Sequence, residues 1–225
     1  MEKLINDKIA EQVIQVFSGM QNPVEILFFE KKNECDYCPD TRQLLEEVAG
    51  LSEKIGLQTF DLEEDEQAAR QYHVDQAPAF VIVSRTGDQL IDYGIRFLGI
   101  PSGHEFTSLI NDLVMVSNRE TGLSQPTREY LKSLTQPVKL QVFTTPTCPY
   151  CPRAVVLAHQ MALESEWVEA EMVDAIEFGE LADRFDVNGV PQTTINDGAW
   201  HVIGAVPEDH LVGEIKQALG VNSEL

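Results

Sequence analysis

Residues 145–152, Thr-Pro-Thr-Cys-Pro-Tyr-Cys-Pro, lie between an apolar run, Val138 to Phe143 "VKLQVF", and a helical pattern that begins at Cys151. Two of the chain's four cysteines, Cys148 and Cys151, stand here with two residues between them. The other two, Cys35 and Cys38, stand in "ECDYCPD" after a second apolar run, "VEILFF". The same local setting, met twice in one chain, asks for a single explanation.

The repetition extends well beyond the cysteines. Pro23, Val24 and Phe29 match Pro137, Val138 and Phe143, with one residue inserted in the first half before its cysteine. From Cys35 to Pro78 and from Cys148 to Pro191 the separation is 43 positions in both halves, and Asp61 matches Asp174 in the same register. An internal repeat of half the chain implies two units of one architecture.

Periodicity predicts the same element order in each half. In the first, "VEILFF" is a strand and Cys38 to Lys54 carries Leu44, Leu45, Val48 and Leu51 at helical spacing. Then come "LQTFDL" as strand, "EDEQAARQYHV" as short helix, "AFVIVS" and "QLIDYGIRFLG" as a hairpin across "RTGD", and "GHEFTSLINDLVMVS" as closing helix. The second half repeats it with "VKLQVF", a helix from Cys151, "WVEAEMVD", "FGELADRFDV", "QTTIN", "AWHVIG" and "PEDHLVGEIKQAL". The turn "NDG" before Ala199 is a hairpin signal. A helix precedes each unit, Leu4 to Phe17 and about Thr127 to Leu134. The expected fold class is α/β: two tandem units, each a central mixed β-sheet flanked by helices. The polar segment "SNRETGLSQP" sets the expected boundary, giving units 1–118 and 119–225.

Composition narrows the chemistry. The chain has 225 residues, 43% of them hydrophobic, enough for a substantial core. With Asp plus Glu at 37 against Lys plus Arg at 16, the formal charge is −21, which disfavours nucleic acid or an anionic membrane as partner. No apolar run is long enough to span a bilayer, and "MEKLINDKIAEQVIQVFSGM" lacks a signal peptide's hydrophobic stretch. A cytoplasmic location is expected, and in a reducing compartment paired cysteines point to redox chemistry or metal rather than structural bridges.

Where a strand gives way to a helix, first-turn N–H groups and the helix dipole favour a thiolate at the first cysteine of each pair. Cys35 and Cys148 are thus the expected nucleophiles. Cys38 and Cys151, inside the first turn, can attack a mixed disulfide and release the substrate. Pro39 and Pro152 are tolerated because first-turn amides have no intrahelical acceptor to lose. Asp36 opposes thiolate formation at Cys35, whereas Pro149 and Tyr150 add no charge, so Cys148 is expected to be the more acidic thiol. The competing reading is zinc held by two knuckles, whose pairs are commonly separated by about 15 to 20 residues. Here 110 positions separate Cys38 from Cys148, and each pair lies in its own repeat.

Strand, Cys-x-x-Cys, helix, then Ala77-Pro78 or Val190-Pro191 before a hairpin resembles the thioredoxin superfamily, and "CPYC" is similar to the glutaredoxin form of its motif. Two such units, with "DYGIRFLGIPSGHEF" in the first and "TPTCPYCP" in the second, resemble the glutaredoxin-like protein disulfide oxidoreductases over nearly the whole chain. The resemblance implies that Pro78 and Pro191 are cis and face the cysteine pairs. It also implies that Ala77 and Val190, with Tyr37 and Tyr150 in the motifs, contact substrate. It implies reductase, oxidase or isomerase activity on protein disulfides or dithiols. No cofactor would be bound beyond the redox-active disulfides, which an NADPH-dependent, thioredoxin-reductase-like flavoprotein would recharge. A glutaredoxin-type iron–sulfur and glutathione-binding protein, and an electron-relay module for a peroxidase system, are the alternative readings.

Thioredoxins keep a buried aspartate on the strand before the motif, yet these strands end "LFF" and "QVF". Glu30 is the candidate proton acceptor in the first unit, against the plainer reading of a solvated charge at a strand end, and none is evident in the second. The five histidines lack metal-ligand spacing and are expected to be structural or exposed. Trp167 and Trp200 are expected in the core, the acidic run Asp61 to Glu66 as a helix cap, and Gly94 and Gly99 at a bulge or close backbone approach.

Overall fold

The computed structural model describes residues 3–220. The described residues divide into two compact units: the first comprises 3–92, 96–100 and 109–120, the second 93–95, 101–108 and 121–220. Two short pieces of the first repeat are therefore part of the second unit.

The first unit opens with α1 (Asp7–Phe17), shorter than the expected helix from Leu4. Asn6 caps it by accepting the Ile9 N–H at 3.0 Å, and the Leu4 and Ile5 amides are taken by the Glu47 carboxylate instead of entering the helix. Then follow β1 (Val24–Glu30), α2 (Cys38–Ala49), β2 (Ile55–Asp61), α3 (Glu66–Gln71), β3 (Ala79–Thr86), β4 (Gln89–Leu98) and, after a 3₁₀ turn at Gly103–Glu105, α4 (Phe106–Asn118). β1 pairs parallel with β2 and antiparallel with β3, which pairs antiparallel with β4. Central β1 is buried from Val24 to Phe29, and the one charge in that run, Glu25, is 3% exposed and paired with Arg85 of β3. α2 stops at Ala49, short of the expected Lys54, where the Gly50 amide closes on the Glu46 carbonyl and the Leu51 amide on the Val48 carbonyl. Phe80 stacks on Phe97 across the hairpin with centroids 4.6 Å apart, a contact worth about 1 kcal/mol beyond burial.

The second unit repeats the plan with α5 (Gln125–Lys132), β5 (Val138–Thr144), α6 (Cys151–Glu164), β6 (Val168–Asp174), α7 (Gly179–Arg184), β7 (Gln192–Ile195), β8 (Trp200–Ile203) and α8 (Glu208–Ala218). β5 pairs parallel with β6 and antiparallel with β7, and β7 with β8, so each unit is a mixed sheet flanked by helices. The β7–β8 hairpin turns through Asn196, Asp197 and Gly198, all with positive φ, the conformation that the "NDG" signal predicts. α6 buries Ala154, Val155, Ala158, Met161 and Ala162 against the sheet.

Trp167 departs from expectation. It precedes β6 and is 40% exposed, because the inward positions of that strand are taken by Val168, Ala170 and Met172. Trp200 is half-buried and donates its indole N–H to Glu214 on α8. His159 is buried on α6, while His73, His104, His201 and His210 are exposed. Among the described residues, no helix is long and apolar enough to cross a membrane.

Candidate active site

In each unit the first strand runs out of the sheet into a short loop, and the Cys-x-x-Cys pair closes that loop onto the start of a helix. Cys38 is the first residue of α2 and Cys151 the first of α6, with Pro39 and Pro152 in the first turn. Both pairs are disulfides, with Cα atoms 5.4 Å apart at Cys35–Cys38 and 5.5 Å at Cys148–Cys151. The second cysteine is enclosed in both, at 3% and 0% exposure. The first differs: Cys35 is half-buried, Cys148 only 7% exposed.

The backbone N–H of Cys151 donates to Cys148 Sγ at 3.1 Å. A donor aimed at sulfur favours the thiolate, so the geometry suits Cys148 to attack and Cys151 to resolve. Tyr150 is 64% exposed and Tyr37 42%, so each motif presents an aromatic ring to solvent.

The Ala77-Pro78 and Val190-Pro191 peptides are both cis. The antiparallel register sets Phe29 opposite Ala79 and Phe143 opposite Gln192. Each cis-proline therefore begins its strand beside the end of the strand that leads to the cysteines. Pro78 and Pro191 are buried, while Ala77 and Val190 are half-buried. The Pro78 and Pro191 carbonyls accept the Gly99 and Gly204 amides at 2.9 and 2.8 Å, a matching tie in the two repeats.

Carboxylates near the sites behave differently from their sequence readings. Glu30 is not a solvated charge: its side chain is 12% exposed and paired with Arg42 of α2, whose Nε lies 3.1 Å away. The run from Asp61 to Glu66 does not cap α3. Instead Asp61 Oδ1 accepts the Glu63 and Glu64 amides at 2.9 and 3.1 Å, and Asp65 accepts the Asp61 amide, so these carboxylates bind a turn.

The matching aspartates titrate in opposite directions. Burial pushes Asp61 up, but the Glu63 and Glu64 amides and the Lys32 ammonium outweigh it, so its pKa falls below the usual aspartate value. At Asp174 burial dominates the amides of Ile176 and Glu177, and the pKa rises. Lys32 itself is raised, chiefly by its bond to Glu64.

One carboxylate was not legible in the sequence. Glu105, in the 3₁₀ turn, belongs to the second unit, is 2% exposed, and accepts the Ser108 hydroxyl at 2.6 Å. That turn packs on α6. The only sequence signal was a charge inside "SGHEF", a stretch that periodicity assigns wholly to the first repeat.

Comparison with known proteins agrees with this geometry. Residues 138–217 match the thioredoxin domain model. A protein disulfide oxidoreductase from Aeropyrum pernix superimposes with a TM-score of 0.87 at 29% identity, covering 96% of this chain and 94% of that one. The alkylhydroperoxide reductase component AhpF of Enterococcus faecalis gives 0.86 at 26%, covering 94% and 99%. A Bacillus subtilis protein named NADH dehydrogenase is 26% identical over 193 residues, 86% of this chain and 34% of that one. The chain thus spans about a third of the length of that curated relative. With two disulfide-closed Cys-x-x-Cys loops beside two cis-prolines, the chain is similar in fold and in its paired cysteines to the oxidoreductases of the thioredoxin superfamily.

Proposed function

We propose that the chain exchanges disulfides with protein substrates at both pairs, with Cys35 and Cys148 attacking and Cys38 and Cys151 resolving. A thiolate at Cys148 attacks one sulfur of a substrate disulfide, and the other sulfur leaves as a thiolate and takes up a proton. Cys151, losing its own proton, then attacks Cys148 Sγ, freeing the second substrate thiol and closing Cys148–Cys151. Two electrons and two protons have passed to the substrate, and the reverse sequence forms a disulfide in it. The observation that carries this reading is the Cys151 N–H donated to Cys148 Sγ at 3.1 Å, which stabilises the attacking group. Substrate backbone would align along Ala77 or Val190, beside the cis-prolines, with Tyr37 or Tyr150 at the rim.

The reductant in this proposal is a thioredoxin-reductase-like flavoprotein drawing on NADH or NADPH, and the setting is cytoplasmic. The names of two relatives, an NADH dehydrogenase and an alkylhydroperoxide reductase, support that partner. They also favour a second reading, in which the pairs relay electrons from such a flavoprotein to a peroxidase.

Insulin reduction with dithiothreitol tests the first reading, comparing the parent with Cys35→Ser and Cys148→Ser. Cys148→Ser is expected to lower turnover tenfold or more, and Cys35→Ser to lower it less. A parent no faster than the dithiothreitol background sinks general disulfide exchange and moves the relay reading to the front.

A further inference from the structure

The second redox loop is braced by a strap that the first repeat contributes. Pro101–Ser108 belongs to the second compact unit, and within it the His104 N–H donates to the carbonyl of Pro146 at 3.0 Å. Pro146 stands two residues before Cys148, in a loop already tied by the Cys148 N–H to the Thr145 carbonyl at 3.1 Å. The approach is close enough to forbid a side chain. Gly103 has φ +59°, and a Cβ there would lie 2.9 Å from the Pro146 carbonyl carbon, 3.1 Å from its Cα, and collide with its oxygen. Two independent constraints, a left-handed backbone and a filled space, thus demand glycine at one position. In the second repeat the corresponding positions Glu208–His210 are instead the first turn of α8, where Glu208 accepts the Ser124 amide and hydroxyl.

We propose that Gly103 and the His104 amide are positioning residues for the second redox pair, setting the Thr145–Cys148 loop so that the Cys151 amide reaches Cys148 Sγ. This rests on the reading that Cys148 is the attacking thiol. The 3₁₀ turn packs on α6, the helix that begins at Cys151, so the strap touches both sides of the pair: the loop through Pro146 and the helix through its flank. Displacing the strap lets the loop move off the helix start and lengthens the amide–sulfur contact. A thiolate that loses a donor is less stable, so the Cys148 thiol titrates at higher pH. The reduced form loses more by this than the disulfide, because a thiolate accepts a hydrogen bond far more strongly than a neutral disulfide sulfur, so the pair becomes harder to reduce.

The test uses the full chain with Cys35→Ser and Cys38→Ser, leaving the second pair alone, and needs no turnover. Alkylation of reduced protein by iodoacetamide at graded pH reports the Cys148 thiolate, and titration with reduced and oxidised glutathione reports the equilibrium of the pair. Gly103→Ala is expected to move the alkylation midpoint up and the glutathione equilibrium about tenfold toward the disulfide, about 30 mV more negative. His104→Ala keeps the backbone donor and is expected to titrate as the parent. Should Gly103→Ala fail to accumulate, Gly103→Asn meets the same carbonyl but tolerates the left-handed backbone better. Hydrogen exchange in the parent gives a further measurement, with the His104 amide expected to be protected.

Unchanged titrations in the folded glycine variants overturn the proposal, as does an unprotected His104 amide. An equal shift in His104→Ala, or in the first pair when Cys148 and Cys151 are the serines, overturns it too, by pointing to side-chain charge or general loosening. Failure of insulin reduction with these titrations intact removes the proposed function and leaves the strap standing.

Discussion

The Cys151 amide points at Cys148 Sγ from 3.1 Å, inside a site where Cys148 itself is 7% exposed. Cys35 is more open to solvent and has the carboxylate of Asp36 as its immediate neighbour. In reduced protein, iodoacetamide at pH 6 is expected to alkylate Cys148 severalfold faster than Cys35, in proportion to the thiolate present. Peptide mass mapping after a short pulse gives the ratio, and the reverse order would show that Lys31 and Lys32 outweigh Asp36.

Asp61 and Asp174 occupy matching positions and should respond oppositely to neutralisation. The folded pKa of Asp61 is depressed, so its contribution to stability is present above the unfolded aspartate value and is lost as pH falls through the folded one. Asp61→Asn is therefore expected to destabilise at pH 7 and to approach the parent in acid. The folded pKa of Asp174 is raised, so the stability it contributes is present below the unfolded value and lost as pH rises through the folded one. Asp174→Asn, which can still accept the Ile176 amide, is expected to stabilise at pH 7, with the gain vanishing at low pH. Urea midpoints at several pH values check both signs.

Ser117 is fully buried, and its hydroxyl oxygen accepts the Gln21 and Asn22 amides, each at 3.0 Å, while donating to the Asn22 carbonyl at 2.6 Å. Ser117→Ala strands the Asn22 amide, because the Gln21 amide retains Asn118 as acceptor. A loss of about 1 to 3 kcal/mol is expected from urea unfolding. Ser117→Thr keeps the hydroxyl and should lose less.

Two glycines separate backbone strain from collision. Gly87 has φ +61° with open space around it, so Gly87→Ala is expected to cost about 1 to 2 kcal/mol from the left-handed conformation alone. Gly94 has φ +80°, and a Cβ there would also come within 2.7 Å of the Val168 carbonyl oxygen, so Gly94→Ala should cost clearly more. Equal midpoints for the two variants would show that the backbone near Val168 yields freely.

Much of this was legible in the residues themselves. A mostly apolar run such as Val24–Phe29, broken only by Glu25, predicts a buried strand, and a Cys-Pro step after it predicts a helix start. These signals are local, and they held at both motifs. The close approach expected at Gly94 is present, since a residue that breaks a strand pattern marks where other backbone comes near. What escaped depends on contacts between distant segments. Trp167 carries an apolar side chain at a position whose inward neighbours already fill the layer, so hydrophobicity misled. The carboxylates of Asp61 and Asp65 bind turn amides because the chain bends there before α3 begins, which charge patterning does not distinguish from capping. The helix start at Asp7 shifted because Glu47 takes the Leu4 and Ile5 amides, and the end at Ala49 because the Leu51 amide tightens back onto Val48, contacts that periodicity does not reveal.

The service that Gly103 and His104 render to Pro146 bears on how such a chain can be dissected. A clone cut between the repeats, beginning near Thr121, would carry the "CPYC" motif without the glycine that closes over its loop. Its behaviour would describe a wounded site rather than an isolated one. For the same reason the halves have ceased to be interchangeable. Two copies of the second repeat joined head to tail would present Glu208 where the downstream loop requires Gly103, so the order of the repeats has itself become part of the sequence's information.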